Sequence, residues 1–143
     1  MAIQIKTLDQ LKLMRKAGLV VGQTLELIRA AIVPGITTND LNNIAIKNLA
    51  ANGAKSNFLN YHGFPAVICA SINDEVVHGI PNDNPLEEGS ILSVDCGVLM
   101  NGFYGDSAYT YSIGEIDEET KLLLQITKES LYKGIEQAIE GKR

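Results

Sequence analysis

The chain has 143 residues, 45% hydrophobic and 20% charged, which is ordinary globular usage and excludes disorder or a collagen-like repeat. Its 17 acidic residues outnumber 12 basic ones, a formal charge of −5, so the overall charge favours neither specific nucleic-acid binding nor an anionic membrane. No apolar run approaches the ~18 residues of a membrane span, and the cysteines, Cys69 and Cys96, are too few for a disulfide scaffold, so the expected compartment is the cytoplasm.

Leu8, Leu11, Met14, Gly18, Val21, Leu25, Ile28 and Ile32 recur at spacings of three and four, the period of one helix face. Thr7 with Gln10 has the form of a capping box and Pro34-Gly35 closes the segment, so a core-packing helix is predicted over residues 7–32. A second helix starts after Thr37 or Thr38, turns Leu41, Ile44, Ala45 and Leu49 inward, and stops at Asn52-Gly53. Phe58, Tyr61 and Phe64 then cluster around His62. Residues 66–71 read as a strand, Asn73-Asp74 as a turn and Val76-Val77 as a second extended piece, followed by a polar loop over residues 82–90. Residues 91–100 and 103–113 are predicted strands joined by Asn101-Gly102, the strongest short-range hairpin signal. Gly114 ends the sheet, and a last helix over residues 117–139 carries Leu123, Ile126, Leu131, Ile135 and Ile139 on one face. Superimposing Ala31-Ile32 on Ala138-Ile139 sets Ile28 on Ile135, as if the last helix opened a second copy of the first unit.

The hairpin carries the chemistry. With Asn101 and Gly102 in the turn, Asp106 lies opposite Gly97 and Asp95 opposite Ala108. The two aspartates therefore share a face as diagonal neighbours, with Cα atoms about 7–8 Å apart. Asp is depleted in strands, yet Asp95 sits in the apolar run Ile91–Met100, and no Lys or Arg occurs between Lys55 and Lys121 to pair with it. A divalent cation is one counter-charge for the pair; a solvated sheet surface with Asp106 at a bulge is the other reading. His78, before Gly79-Ile80-Pro81, presents an imidazole suited to donating a hydrogen bond or moving a proton near neutral pH, or simply to closing a strand end. Cys69 and Cys96 have no activating neighbour and read as small buried hydrophobes.

Tyr61-His62-Gly63-Phe64-Pro65, the run Ser71 to Pro81, Asp95-Cys96-Gly97 and Gly102 to Asp106 together resemble the type I methionine aminopeptidases. The resemblance covers nearly the whole chain. It implies an α+β pita-bread fold, with residues 1–114 as the first αβ half and residues 115–143 as the opening of the second. By the same resemblance Asp95 and Asp106 match the aspartates of a dinuclear centre for divalent ions of the Co, Mn, Fe, Zn or Ni type, Asp106 being the bridging one. His78 matches the catalytic histidine that contacts substrate beside the scissile peptide, and Phe58, Tyr61, Phe64 and Cys69 match the methionine pocket. The implied activity is removal of the initiator methionine from nascent polypeptides with a small second residue, near the ribosome. The family's remaining ligands, one histidine and two glutamates, come from its second half, and no histidine follows Asp106 here. The expectation is therefore a truncated chain with an incomplete, partly occupied site, low activity, and self-association through the face that truncation exposes. A non-catalytic pita-bread-like module that binds peptides or partners is the alternative.

Overall fold

The computed structural model describes residues 3–142. The helices begin at residues whose side chains satisfy the first free N–H groups. Thr7 and Gln10 form a reciprocal capping box at α1 (Leu8–Ala31), and Thr37 and Asp40 form another at α2 (Thr38–Ala51). Asp117 opens α3 (Glu118–Glu136) by accepting from the Thr120 N–H at 2.8 Å.

The predicted hairpin forms between β3 (Ile91–Met100) and β4 (Phe103–Ser112), with Asn101 and Gly102 both at positive φ. Its register sets Gly97 opposite Asp106 and Asp95 opposite Ala108, as the turn residues require. The other edge of β3 is shared by two short strands lying end to end. β2 (Ile68–Ile72) pairs antiparallel with residues 92–96, and β1 (Lys55–Ser56) with residues 98–99.

Alternation along β3 divides the sheet into two faces. Leu92, Val94, Cys96 and Val98 are completely buried in the core with Ile28 of α1 and Leu41 of α2. α1 lies so close to β4 that a Cβ on Gly105 would come within 2.7 Å of the Ala17 and Gly18 backbone. At the other end of β4 the Tyr111 hydroxyl donates to the Leu25 carbonyl at 2.9 Å. The buried polar groups beneath are paired: Asn48 donates to Thr24 Oγ1, which donates to the Val20 carbonyl. The opposite face carries Ser93, Asp95 and Gly97 beside Thr110, Ala108 and Asp106.

Three expectations need correcting. Leu8 is 77% and Leu11 47% exposed; burial on α1 starts at Ala17, the residue packed on Gly105, because two successive spacings of three turn Leu8 and Leu11 off the buried face. Val76-Val77 forms no strand and is exposed, since the free edge of β2 is taken by Gly79, whose carbonyl accepts from the Ala70 N–H at 2.9 Å. The loop over residues 82–90 forms as expected and is anchored by buried Leu86, whose N–H donates to Ile36 and whose carbonyl accepts from Gly35. The strand predicted from residue 66 begins at Ile68, and the last helix ends at Glu136.

α3 follows Gly114, which has φ +64°, and has no buried residue. Leu123, Ile126, Leu131 and Ile135 are all more than half exposed, and the Lys128 ammonium stands 6.0 Å from the Tyr109 ring centre. Among the described residues no helix is long and apolar enough to cross a membrane.

Candidate functional site

The open face of the sheet is a floor of small and polar side chains arranged in rows. Ser71, Ser93 and Thr110 make one row, Cys69, Asp95 and Ala108 the next, and Gly97 with Asp106 a third. Ser93 and Thr110 share a 2.8 Å hydrogen bond. Ala108 beside Asp95 has a short side chain, and the space over Gly97 is taken by the Asn57 carboxamide and the Phe58 ring.

A cleft of about 890 Å³ meets this floor at Cys69 and Asp95, and its lining includes Phe58, Tyr61, Phe64 and His78 with Asn57 and Tyr104. Six of the seven residues singled out from the sequence thus meet in one cavity. Asp106 is outside its lining but adjoins Asp95 on the same face. A 3₁₀ turn at Tyr61–Gly63 sets the aromatic wall; His62 lies there with φ +48°, its ring edge-on to Tyr61 at 4.5 Å between centroids. His62 therefore both shapes this turn and lines the cleft beside Tyr61.

His78 also holds a left-handed backbone, φ +61°, unusual for a residue with a side chain and costing about 1–3 kcal/mol. The next residue fixes it: Gly79 donates to Ser71 Oγ at 3.0 Å and accepts from Ala70, and a Cβ there would overlap the Ala70 carbonyl. The loop is thereby docked on β2 with the exposed imidazole beside the cleft.

Burial pushes the Asp95 carboxyl above the usual carboxylate range; the Asp106 charge and a carboxyl–carboxyl contact push the same way, against smaller opposing effects of His78 and the Cys96 N–H. Asp95 Oδ1 is buried with no hydrogen-bond partner. Burial, then Asp95 and Asp106, raises Cys69 to about 11, so it is a neutral thiol suited to a pocket wall and not to nucleophilic attack. Cys96, on the core face, is pushed up to about 12, chiefly by burial.

A model of metallopeptidase family M24 matches residues 12–143. The chain belongs to metallopeptidase family M24. It is 49% identical over 142 residues to a methionine aminopeptidase of Clostridium acetobutylicum, covering 99% of this chain and 57% of that relative. The crystal structure of methionine aminopeptidase from Rickettsia prowazekii superposes with a TM-score of 0.91 at 40% identity, covering 94% of this chain and 54% of that one. A Xaa-Pro dipeptidase from Bacillus anthracis, 23% identical with a TM-score of 0.80 over 94% of this chain and 36% of that one, shares the fold. The pita-bread architecture expected from the sequence is the one observed. The chain spans about 57% of the length of the curated relative it matches.

Family M24 implies divalent metal, and the residues present fit part of such a site. Two carboxylates lie together on a small-residue floor, one with a buried oxygen lacking any donor. Among the described residues, no three His, Cys, Asp or Glu side chains gather into a metal-holding group. Asp95 and Asp106 thus stand as a pair of carboxylates with no third such side chain gathered beside them among the described residues. Reading the sequence missed Asn57 and Tyr104. Tyr104 follows the hairpin turn and has only its alternation to mark it, while Asn57 follows Lys55-Ser56, a pair with no strand signature.

Proposed function

We propose that the chain carries the Asp95–Asp106 side of a methionine aminopeptidase site that removes the initiator methionine from nascent polypeptides with a small second residue. The observation that carries this reading is the partnerless, buried Asp95 Oδ1 beside Asp106, at the base of an aromatic-walled cleft that also takes in His78. In this reading the two aspartates hold divalent metal, two ions in the complete site. Bound there, such ions supply Lewis-acid polarisation of a carbonyl and a water of lowered pKa.

The chain's own side chains do the rest. Phe58, Tyr61 and Phe64 accept the flexible thioether, which gains from S···aromatic contacts, and neutral Cys69 completes the wall. His78, held by the docked Gly79, donates a hydrogen bond to the substrate beside the scissile peptide. In the same reading the first αβ half ends near Gly114 and α3 opens the other. Substrates are N-terminal methionyl peptides in the cytoplasm, met near the ribosome. Alone, with two carboxylates and an open cleft, the chain has little or no turnover on Met-Ala-Ser with Mn or Co added.

Titrating Met-Ala-Ser and Glu-Ala-Ser into the chain, while following the aromatic NMR signals, tests the assignment. The methionyl peptide shifts Phe58, Tyr61 and Phe64 and the glutamyl peptide does not. Equal shifts with both, or none with either, contradict it.

A further inference from the structure

We propose that Asn57 belongs to the cation site, its carboxamide oxygen facing the hydrated cation that Asp95 and Asp106 hold. This rests on the metal reading above and adds a residue to it. β1 pairs Lys55 with Leu99 and Ser56 with Val98, and the next step places Asn57 opposite Gly97. The Asn57 N–H confirms that step by donating to the Gly97 carbonyl at 3.3 Å. Gly97 is therefore flanked by Asn57 on one side and its register partner Asp106 on the other, all on the open face.

Gly97 has no side chain, and Asn57 fills the space. A Cβ at residue 97 would overlap Asn57 Oδ1 and come within 2.6 Å of the Phe58 ring. The carboxamide oxygen thus occupies the volume where a side chain at 97 would stand, two residues along the strand from Asp95 and across from Asp106. It is also buried and accepts no hydrogen bond. Among the described residues, the other buried side-chain oxygen in that condition is Asp95 Oδ1. Each such orphan costs about 1–3 kcal/mol.

The backbone donors that follow Asn57 are committed elsewhere. The Phe58 and Leu59 N–H groups both donate to Ser56 Oγ, and no Lys or Arg lies between Lys55 and Lys121 in the chain. Two orphaned acceptors in one notch call for a shared partner that brings positive charge or water protons. A hydrated divalent cation brings both. A neutral oxygen at this point adds a partner for it without a third negative charge beside two carboxylates that already repel each other.

The experiment is a Mn titration of the full chain, read as bound Mn by electron paramagnetic resonance and as the melting-temperature gain on adding Mn. Asn57→Ala binds Mn about tenfold more weakly, the low end for loss of an outer partner of a metal site. Its metal-free melting temperature is unchanged or higher, because an orphaned oxygen has been removed. Asn57→Asp keeps the shape and the oxygen, binds at least as tightly as the native chain, and covers the case in which the alanine variant does not fold. Native Mn affinity in Asn57→Ala, with binding lost in Asp95→Asn, overturns the role of Asn57 and leaves the metal reading standing. An equal loss of melting temperature with and without Mn marks Asn57 as structural and also overturns it. Absence of Asp95-dependent Mn binding in the native chain overturns the metal reading and this inference together.

Discussion

The two faces of the β3–β4 hairpin are built from alternate residues of the same strands, yet they obey opposite rules. On the closed face Leu92, Val94, Cys96 and Val98 are completely buried, and the polar atoms that reach the core, the Tyr111 hydroxyl and the Thr24–Asn48 pair, are hydrogen-bonded. On the open face Asp95 and Asn57 each keep a buried oxygen without a partner, and Gly97 between them gives up its side chain to the Asn57 carboxamide. The difference teaches that stability and chemistry are separated by residue parity: odd-numbered positions of β3 give up packing so that the even-numbered ones can hold the site in place.

The separation breaks most visibly if the closed face is not what holds the fold. Ile28→Ala, at a fully buried position, costs about 2–5 kcal/mol in urea unfolding. A cost below about 1 kcal/mol, the scale of a substitution outside a packed core, contradicts the comparison.

Alkaline pH probes the same face. Burial, with smaller repulsion from Glu26 and Tyr109, raises Tyr111 from 10 to about 12. The neutral phenol is thus favoured in the folded state, so its stabilisation is whole below the unfolded value and is lost as pH rises through the folded one. Between pH ~10 and ~12 the stability of the native chain falls by about 2–3 kcal/mol relative to Tyr111→Phe, whose profile is the flatter of the two. Parallel pH profiles contradict it.

On the open face the signs reverse. Asp95→Asn removes a buried charge that faces Asp106, so metal-free stability stays within about 1 kcal/mol of native or rises. A loss of several kcal/mol, as from a core position, erases the distinction between the faces. The smallest effect is at α3. Ile126→Glu changes unfolding stability by less than about 0.5 kcal/mol, since the helix buries nothing. In sedimentation velocity the native chain self-associates through this apolar face and Ile126→Glu is monomeric. A native chain that stays monomeric at high concentration removes that expectation.

Much of this was legible in the residues. The caps at Thr7 and Thr37, the Asn101-Gly102 turn and hence the Asp95–Asp106 register follow from local rules that tertiary structure had no reason to override. Leu8 and Leu11 look like part of the stripe, but two successive spacings of three carry them about 120° and 60° round the helix from Met14 and off the buried face. Other features were hidden because they depend on what lies opposite in space. Val76-Val77 has strand composition but loses the β2 edge to Gly79. Asn57 became visible only once Lys55-Ser56 was seen paired with β3, because its place in the site comes from a register and from the missing side chain of Gly97.

The central claim is that Asp95 and Asp106 form one side of a metal centre. Isothermal titration of the metal-free chain with Mn, repeated on Asp95→Asn and Asp106→Asn, tests it most directly. The account predicts weak binding heat in the native chain that disappears in both variants while each remains folded. Binding heat that persists in both variants, or none in the native chain, contradicts it.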